Sequence, residues 1–219
     1  MALKHSYRLA SLIACVVLAA CATSRSEVKL GAPAAAPAEQ TGATRFAVIR
    51  SVKDERVFEE APVDPSVPSL GFEGAAQATD EIKARAIARK RNTLDMAMGD
   101  VLLQKGQTVE DVVRDNLTAA LRQAGYQVRS ADNAGPSALI VDVHIKQFWA
   151  WVQLGFWALT FKANISTSLD LSGTASASTI TVHAEDSGQV ATDSAWVRVV
   201  DRALDAYRSQ ATEKAVAFQ

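Results

Sequence analysis

The chain has 219 residues, of which 48% are hydrophobic, and its 23 basic and 24 acidic side chains give a formal net charge of −1. This composition is typical of an ordinary globular protein, and the length is that of one domain. The near balance of charge excludes a dedicated nucleic-acid binder, which carries a clear basic excess.

The first twenty residues have the layout of a secretory signal peptide. Lys4 and Arg8 form a basic start, and residues 9–20 are apolar apart from Ser11. The apolar part is about a dozen residues long, whereas a membrane-spanning helix needs about 20. We therefore predict that residues 1–20 are removed, which leaves 21 basic and 24 acidic residues in the mature chain.

The signal ends in the sequence LAAC, and Cys21 is its last residue. This pattern resembles the lipobox of bacterial lipoproteins, in which small residues precede the cut and the cysteine after it carries a thioether-linked lipid. The resemblance implies diacylglycerol and an N-acyl chain on Cys21, which together anchor a protein stably. It also implies the outer membrane, because Ala22 stands where an Asp would favour retention in the inner membrane. An ordinary signal peptide with an incidental Cys21 is the alternative.

Residues 22–44 contain almost no large apolar side chains and include the stretch GAPAAAPAEQTG. Such a segment buries too little surface to offset the entropy of ordering, so we predict that residues 21–44 are the lipidated cysteine and a flexible tether. The single domain then covers residues 45–219. Because Cys15 and Cys21 are the only cysteines, this domain has no disulfide and no cysteine metal site.

Hydrophobic periodicity predicts an α+β domain. Residues 45–52 and 96–103 are candidate strands, and a long loop with three prolines over 61–71 separates them. Thr108 and Gly125 have the side chains expected at the two ends of an amphipathic helix over 108–124. Residues 138–146, 159–171 and 178–185 alternate between apolar and polar side chains, as antiparallel strands with one wet face do. A second amphipathic helix is predicted over 193–214. The fold class is therefore α+β, with an antiparallel sheet of about four to six strands and two main helices packed on one face.

A basic stretch over residues 81–92 is a candidate contact for anions. Lipid headgroup phosphates or lipopolysaccharide would suit such a concentration of charge, and a solvated helix or loop face is the alternative. The candidate side chains are Lys83, Arg85, Arg89, Lys90 and Arg91.

Residues 147–161 hold three of the four tryptophans, in the sequence QFWAWVQLGFWALTF. The run is too short to span a membrane as a helix, and strands flank it, so we predict a β-hairpin with its turn at 153–155. Both faces of this hairpin are apolar. The second face is covered by the proline-rich loop or the last helix, or it contacts a protein partner or another copy, or it enters a membrane interface. The candidate docking side chains are Trp149, Trp151, Leu154, Phe156 and Trp157.

No common catalytic motif occurs in the sequence, so we expect a protein that is not an enzyme and needs no metal or other cofactor. His144 and His183 lie on polar faces of predicted strands and would form a metal site only as neighbours with a carboxylate. The acidic residues 54, 55, 59 and 60 are interpreted as a solvated charged turn.

The chain resembles the YajG-type lipoproteins of Gram-negative bacteria. The resemblance lies in the lipobox, in the segments RFAVIRSVKDERVF, TVEDVVRDNLTAALRQAGYQV, ALIVDVHIKQF and TFKANISTSLDLS, and in the final helix. It implies an α+β envelope domain of undefined activity. The hairpin tip and the stretch KARAIARKRN depart from the family pattern, since they are more aromatic and more basic. We expect a membrane-anchored accessory protein that faces the periplasm and binds an envelope partner, itself or lipid, but no nucleic acid.

Overall fold

The structure is a computed structural model of the chain. It describes residues 25–34, 45–71, 74–92, 96–133, 135–155, 157–172 and 177–217. The predicted signal peptide and Cys21 lie outside the described residues. Within them the fold is α+β, as predicted, with eight strands and four α-helices.

In chain order the elements are β1 (Ser26–Val28), β2 (Arg45–Asp54), α1 (Gly74–Gln77), α2 (Asp80–Arg85), β3 (Ala86–Arg91), β4 (Ala97–Leu103), α3 (Val109–Gln123), β5 (Tyr126–Val128), a short 3₁₀ turn (Ala131–Asn133), β6 (Leu139–Leu154), β7 (Leu159–Leu171), β8 (Ser178–Gly188) and α4 (Asp193–Ala217).

The long strand β6 organises the sheet. One of its edges pairs with β7, which in turn pairs with β8, and both pairings are antiparallel as predicted. Its other edge is shared, because residues 139–145 pair with β2 and Ala150 pairs with β3, both in parallel. β2 continues the sheet to β5, and β3 continues it to β4 and β1. The sheet is therefore mixed and larger than predicted, since parallel partners joined by long connections leave no hairpin pattern in the sequence.

The two long helices share one hydrophobic core with the sheet. α3 begins at a capping box, in which the Thr108 hydroxyl accepts from the Asp111 N–H at 3.2 Å and the Asp111 carboxylate accepts from the Thr108 N–H at 3.1 Å. On α4, Trp196 packs edge-on against Phe161 of β7 with ring centres 5.0 Å apart. The predicted apolar stripes of both helices are buried, which confirms the two main helices of the fold class.

The predicted tether is wrong for residues 25–34. Residues 26–28 form β1, which adds a parallel strand to the edge of β4. Val28 and Leu30 are buried in the core, and the Gln107 side-chain amide bonds the backbone N–H and C=O of Leu30 at 3.2 and 3.1 Å. Two apolar side chains suffice here because main-chain pairing with β4 supplies the remaining contacts.

Candidate contact surface at the hairpin end of the sheet

The aromatic run forms the predicted β-hairpin. β6 and β7 pair continuously from Gln147 and Ser166 to Leu154 and Leu159, and the Gly155 N–H donates to the Ala158 carbonyl at 3.0 Å. A Cβ on Gly155 would lie 2.6 Å from that carbonyl oxygen, so the tight turn requires glycine. The turn lies slightly further along the chain than predicted, because β6 extends through Leu154.

Trp149 belongs to the core. Its side chain is 1% exposed, its Nε1–H donates to the Pro65 carbonyl at 3.3 Å, and its ring packs edge-on against Phe58 at 6.0 Å. The proline-rich loop thus covers this face of the hairpin, which was one of the three expected covers. The prediction that Trp149 forms part of a docking surface is wrong, and Trp151 is half-buried against the same cluster.

The exposed part of the run is its tip. Trp157 is 84% exposed and Leu154 is 47% exposed, whereas Phe156 lies outside the described residues. A tryptophan that is exposed over most of its surface contributes little of the hydrophobic stabilisation that its burial would give the fold. Of the predicted docking side chains that the structure describes, Trp157 and Leu154 are the exposed ones.

Several other elements reach the same end of the sheet, which we call the hairpin end. β3 runs parallel to β6 and therefore ends there, while β4 and β1 run the opposite way and therefore begin there. β8 also ends there, because Gly188 pairs with Leu159. The loops that join these strand ends thus lie on both sides of the hairpin tip.

The exposed apolar side chains concentrate at the hairpin end. Seven large hydrophobic residues are exposed among the described residues: Val57, Val63, Met96, Leu154, Trp157, Val190 and Val216. All of them except Val57 and Val216 lie at the hairpin end. Met96 lies in the turn between β3 and β4, Val190 follows β8, and Val63 lines a cleft with Arg89 and Arg91 at the end of β3. Sequence reasoning missed these three, because isolated apolar residues in loops produce no periodic signal.

The C-terminal part of the basic stretch also lies at the hairpin end. Arg89 and Arg91 donate to the carbonyls of Glu60 and Pro62 at 3.4 and 3.0 Å, and so tie the proline-rich loop to β3. The Lys90 Nζ is 3.9 Å from an Asp193 carboxylate oxygen at the start of α4. These cations therefore already contact protein oxygen atoms.

The N-terminal part of the basic stretch is structural. Arg85 is 5% exposed, donates to the Leu103 carbonyl at 2.8 Å, and forms ion pairs with Glu27 of β1 and Glu81 of its own helix. The prediction of Arg85 as an anion contact is wrong, because its guanidinium is used to join α2 to β4 and β1. Lys83 is half-buried on α2.

The polar face of the sheet carries an ion network around Glu55. His144 Nδ1 lies 2.6 Å from one carboxylate oxygen of Glu55, and Lys146 Nζ lies 2.5 Å from the other. The hydrogen bond from Lys146, followed by that from His144, lowers the pKa of Glu55 to about 2. A carboxylate stabilised in its ionised form in this way is a poor general base near neutral pH.

The two histidines are not neighbours. His144 pairs across the sheet with Ser168 and His183 with Asn164, four residues apart on β7. His183 Nδ1 contacts the Asn164 side-chain oxygen at 2.5 Å. Among the described residues no group of three or more His, Cys, Asp or Glu side chains could hold a metal ion.

In the part of the chain that is described, no helix has the length and apolar character needed to cross a membrane.

No family model matches the sequence, and no curated protein is similar enough to match it. Solved structures that are similar over most of their length include the following two. One is an uncharacterised protein, 12% identical, with 90% of this chain and 99% of that chain covered and a TM-score of 0.44. The other is protein XCC0632 from Xanthomonas campestris, of the family DUF330, 11% identical, with coverages of 89% and 92% and a TM-score of 0.45.

Proposed function

We propose that the protein is a lipid-anchored lipoprotein of the outer membrane, of the YajG type, that faces the periplasm and serves as a non-enzymatic accessory or adaptor protein of a cell-envelope assembly. It docks through the hairpin end. The LAAC sequence that ends at Cys21 supports the lipid anchor, and the basic and apolar segments before it support export.

The observation that carries the proposal is the exposed tip. Trp157 and Leu154 are exposed on a domain whose other tryptophans are buried or half-buried, and three further exposed apolar side chains lie at the same end of the sheet. Clusters of exposed apolar side chains mark interaction sites. Tryptophan in particular dominates the energetics of many protein interfaces.

The polar groups support a binding role over a catalytic one. His144 and Lys146 each bond Glu55 on the polar face of the sheet, where all three side chains are partly exposed. Catalytic groups are typically held in a cleft with a pKa tuned towards neutrality, and the low pKa of Glu55 is the opposite arrangement.

Lipid or glycolipid binding is a second candidate function. Lys90 and Arg91 lie at the end of β3, on the same end of the sheet as the apolar tip. Cationic side chains beside exposed apolar ones match the two parts of an amphiphile, its phosphate and its acyl chains.

The anchor and the docking role are tested separately in cells. Metabolic labelling with an acyl donor should label the wild-type protein, and the Cys21→Ser variant should remain unlabelled. A photo-crosslinking amino acid at position 157 should then capture a specific envelope component, whereas the same group at the exposed position 216 should not. Equal capture from both positions would contradict docking through the hairpin end.

A further inference from the structure

We infer that the hairpin end is the face that the domain turns towards the lipid bilayer, and that Trp157 and Leu154 enter the interface of the same membrane leaflet that holds the anchor. The lipid bilayer is then the surface on which the hairpin end of the proposed lipoprotein docks, and this orientation rests on the proposed lipid at Cys21.

The strand register places the start of β1 within a short distance of the level of the tip. Ser26 pairs with Val101, which also pairs with Ala88, and Ala88 pairs with Ala150 of β6. Ser26 and Ala150 therefore lie at one level of the sheet. Leu154 is four residues further along β6, which corresponds to about 13 Å at the rise of a β-strand. Cys21 precedes Ser26 by five residues, which span about 17 Å at most.

The lateral distance is also short. β1 is separated from β6 by β4 and β3, so three strand spacings amount to about 14 Å. β1 begins at the hairpin end and points away from it, so the chain before Ser26 enters the sheet from that side. A lipid on Cys21 therefore tethers the domain from the side of the hairpin end.

The chemistry of the hairpin end fits a lipid interface. Val63, Met96, Leu154, Trp157 and Val190 come from four separate loops or strand ends, and each is exposed. Tryptophan favours the membrane–water interface, where its ring is apolar and its N–H remains close to water. Apolar side chains on several loops at one end of a domain fit a broad surface such as a bilayer better than a narrow pocket.

The pairing of the basic side chains near the hairpin end indicates which force holds this end at the membrane. Arg25 bonds Asp100 at 3.0 Å, Arg91 bonds the Pro62 carbonyl, and Lys90 lies near Asp193. Because these cations already interact with protein oxygen atoms, the membrane contact depends mainly on apolar insertion. We therefore expect it to respond weakly to salt and to the fraction of anionic lipid.

The first experiment measures depth in the bilayer. Lipidated mature protein, residues 21–219, is reconstituted into vesicles of phosphatidylethanolamine and phosphatidylglycerol. A single spin label is attached to Leu154→Cys or Val190→Cys at the hairpin end, or to Val57→Cys or Val216→Cys as controls. Cys21 does not react, because its sulfur carries the lipid. Labels at 154 and 190 should be more accessible to oxygen than to a water-soluble nickel chelate, and labels at 57 and 216 should show the reverse. Water-like accessibility at all four positions would overturn the inference.

The second experiment removes the side chains. The unlipidated chain from residue 22 onward contains every residue that the structure describes, and its flotation with the same vesicles is compared between two double variants. Leu154→Ser with Trp157→Ser should lower the bound fraction by about fivefold or more, because apolar burial is lost. Val57→Ser with Val216→Ser removes side chains of similar exposure and should leave binding within about twofold of the parent, since neither is at the hairpin end. Equal losses in both would contradict the inference.

The two proposals fail in different ways. If mass spectrometry of the protein from cells finds no lipid on Cys21, the anchored function falls, whatever the vesicles show. If Cys21 is lipidated and the labels at 154 and 190 remain in water, the anchor stands and the orientation of the domain is wrong.

Discussion

The guanidinium of Arg56 donates to the backbone carbonyl of Phe148 at 3.0 Å, at the point where the edge of β6 passes from β2 to β3. The same side chain donates to the carbonyls of Ala86 and Lys83 at 2.6 and 2.8 Å, and it forms a bidentate ion pair with Asp54. A sheet that divides in this way leaves carbonyl groups without a strand partner. Arg56 donates to the carbonyls of Phe148 on β6 and Ala86 on β3, and so joins the two branches.

Replacement of Arg56 with Leu should therefore destabilise the fold strongly. The change leaves buried carbonyls and the Asp54 carboxylate without their donor, which costs about 3–5 kcal/mol in comparable buried pairs. Urea unfolding followed by circular dichroism measures the free energy of unfolding. Arg50→Gln is the matched control, because Arg50 pairs with Asp142 at an exposed position and its loss should leave the midpoint nearly unchanged. Similar midpoints for the two variants would show that Arg56 does not join the branches.

The tryptophans of the hairpin should separate into a structural and a surface class. Trp149→Ala should lower the free energy of unfolding by about 3–5 kcal/mol, because it empties a closed site between β6 and the proline-rich loop. Trp157→Ala should change it by no more than about 0.5 kcal/mol, since its ring contacts mainly solvent. Thermal or urea unfolding of both variants provides the measurement. A large loss of stability in the Trp157 variant would mean that the tip is part of the core.

The segment before residue 35 should contribute to stability. Leu30→Ala should cost about 2–5 kcal/mol, because Leu30 is buried beside Gln107 where β1 joins the sheet. Lys29→Ala, at the exposed neighbouring position, should have little effect. A flexible tether would instead predict no effect from either change, so unfolding curves of the pair distinguish the two descriptions.

Acid should weaken the fold through Glu55. Its folded-state pKa is lowered from 4.5 to about 2 by Lys146 and His144, so its contribution to stability is present above pH 4.5 and is lost as the pH falls towards 2. Its side chain is 37% exposed, so solvent screening limits the contribution to less than about 1 kcal/mol. Glu55→Gln should flatten the dependence of stability on pH between 4.5 and 2, and Lys146→Met should do so in part. An unchanged slope in both variants would contradict the network.

Local periodicity was enough to predict several elements. The alternation along β7 and β8 and the capped amphipathic helix α3 are encoded by contiguous residues, and the structure places each of them as expected. The hairpin was predictable as well, because Gly155 lies between two apolar arms of similar length. Each of these features depends on the preference of a short segment to bury one face.

The faces of the aromatic run depend on longer-range structure. An irregularity in the pairing between Ile145 and Gln147 shifts the alternation of β6, so that Phe148 faces the helices and Trp149 faces the proline-rich loop. No local pattern distinguishes Trp149 from Trp157. The first is buried because the distant proline-rich loop packs over it, with the Pro65 carbonyl, 84 residues away in sequence, accepting from its indole N–H.

The sequence alone thus determined the α+β class, the two main helices, the hairpin and the candidate lipid site at Cys21, since each follows from neighbouring residues. Only the tertiary structure decided that Arg56 joins two branches of the sheet, that residues 26–28 form β1 where a tether was predicted, and that five exposed apolar side chains lie at the hairpin end. The physical reason is that these features arise from pairing between distant segments. The free energy of such pairing depends on which backbone groups and apolar surfaces remain unsatisfied after the local elements have formed.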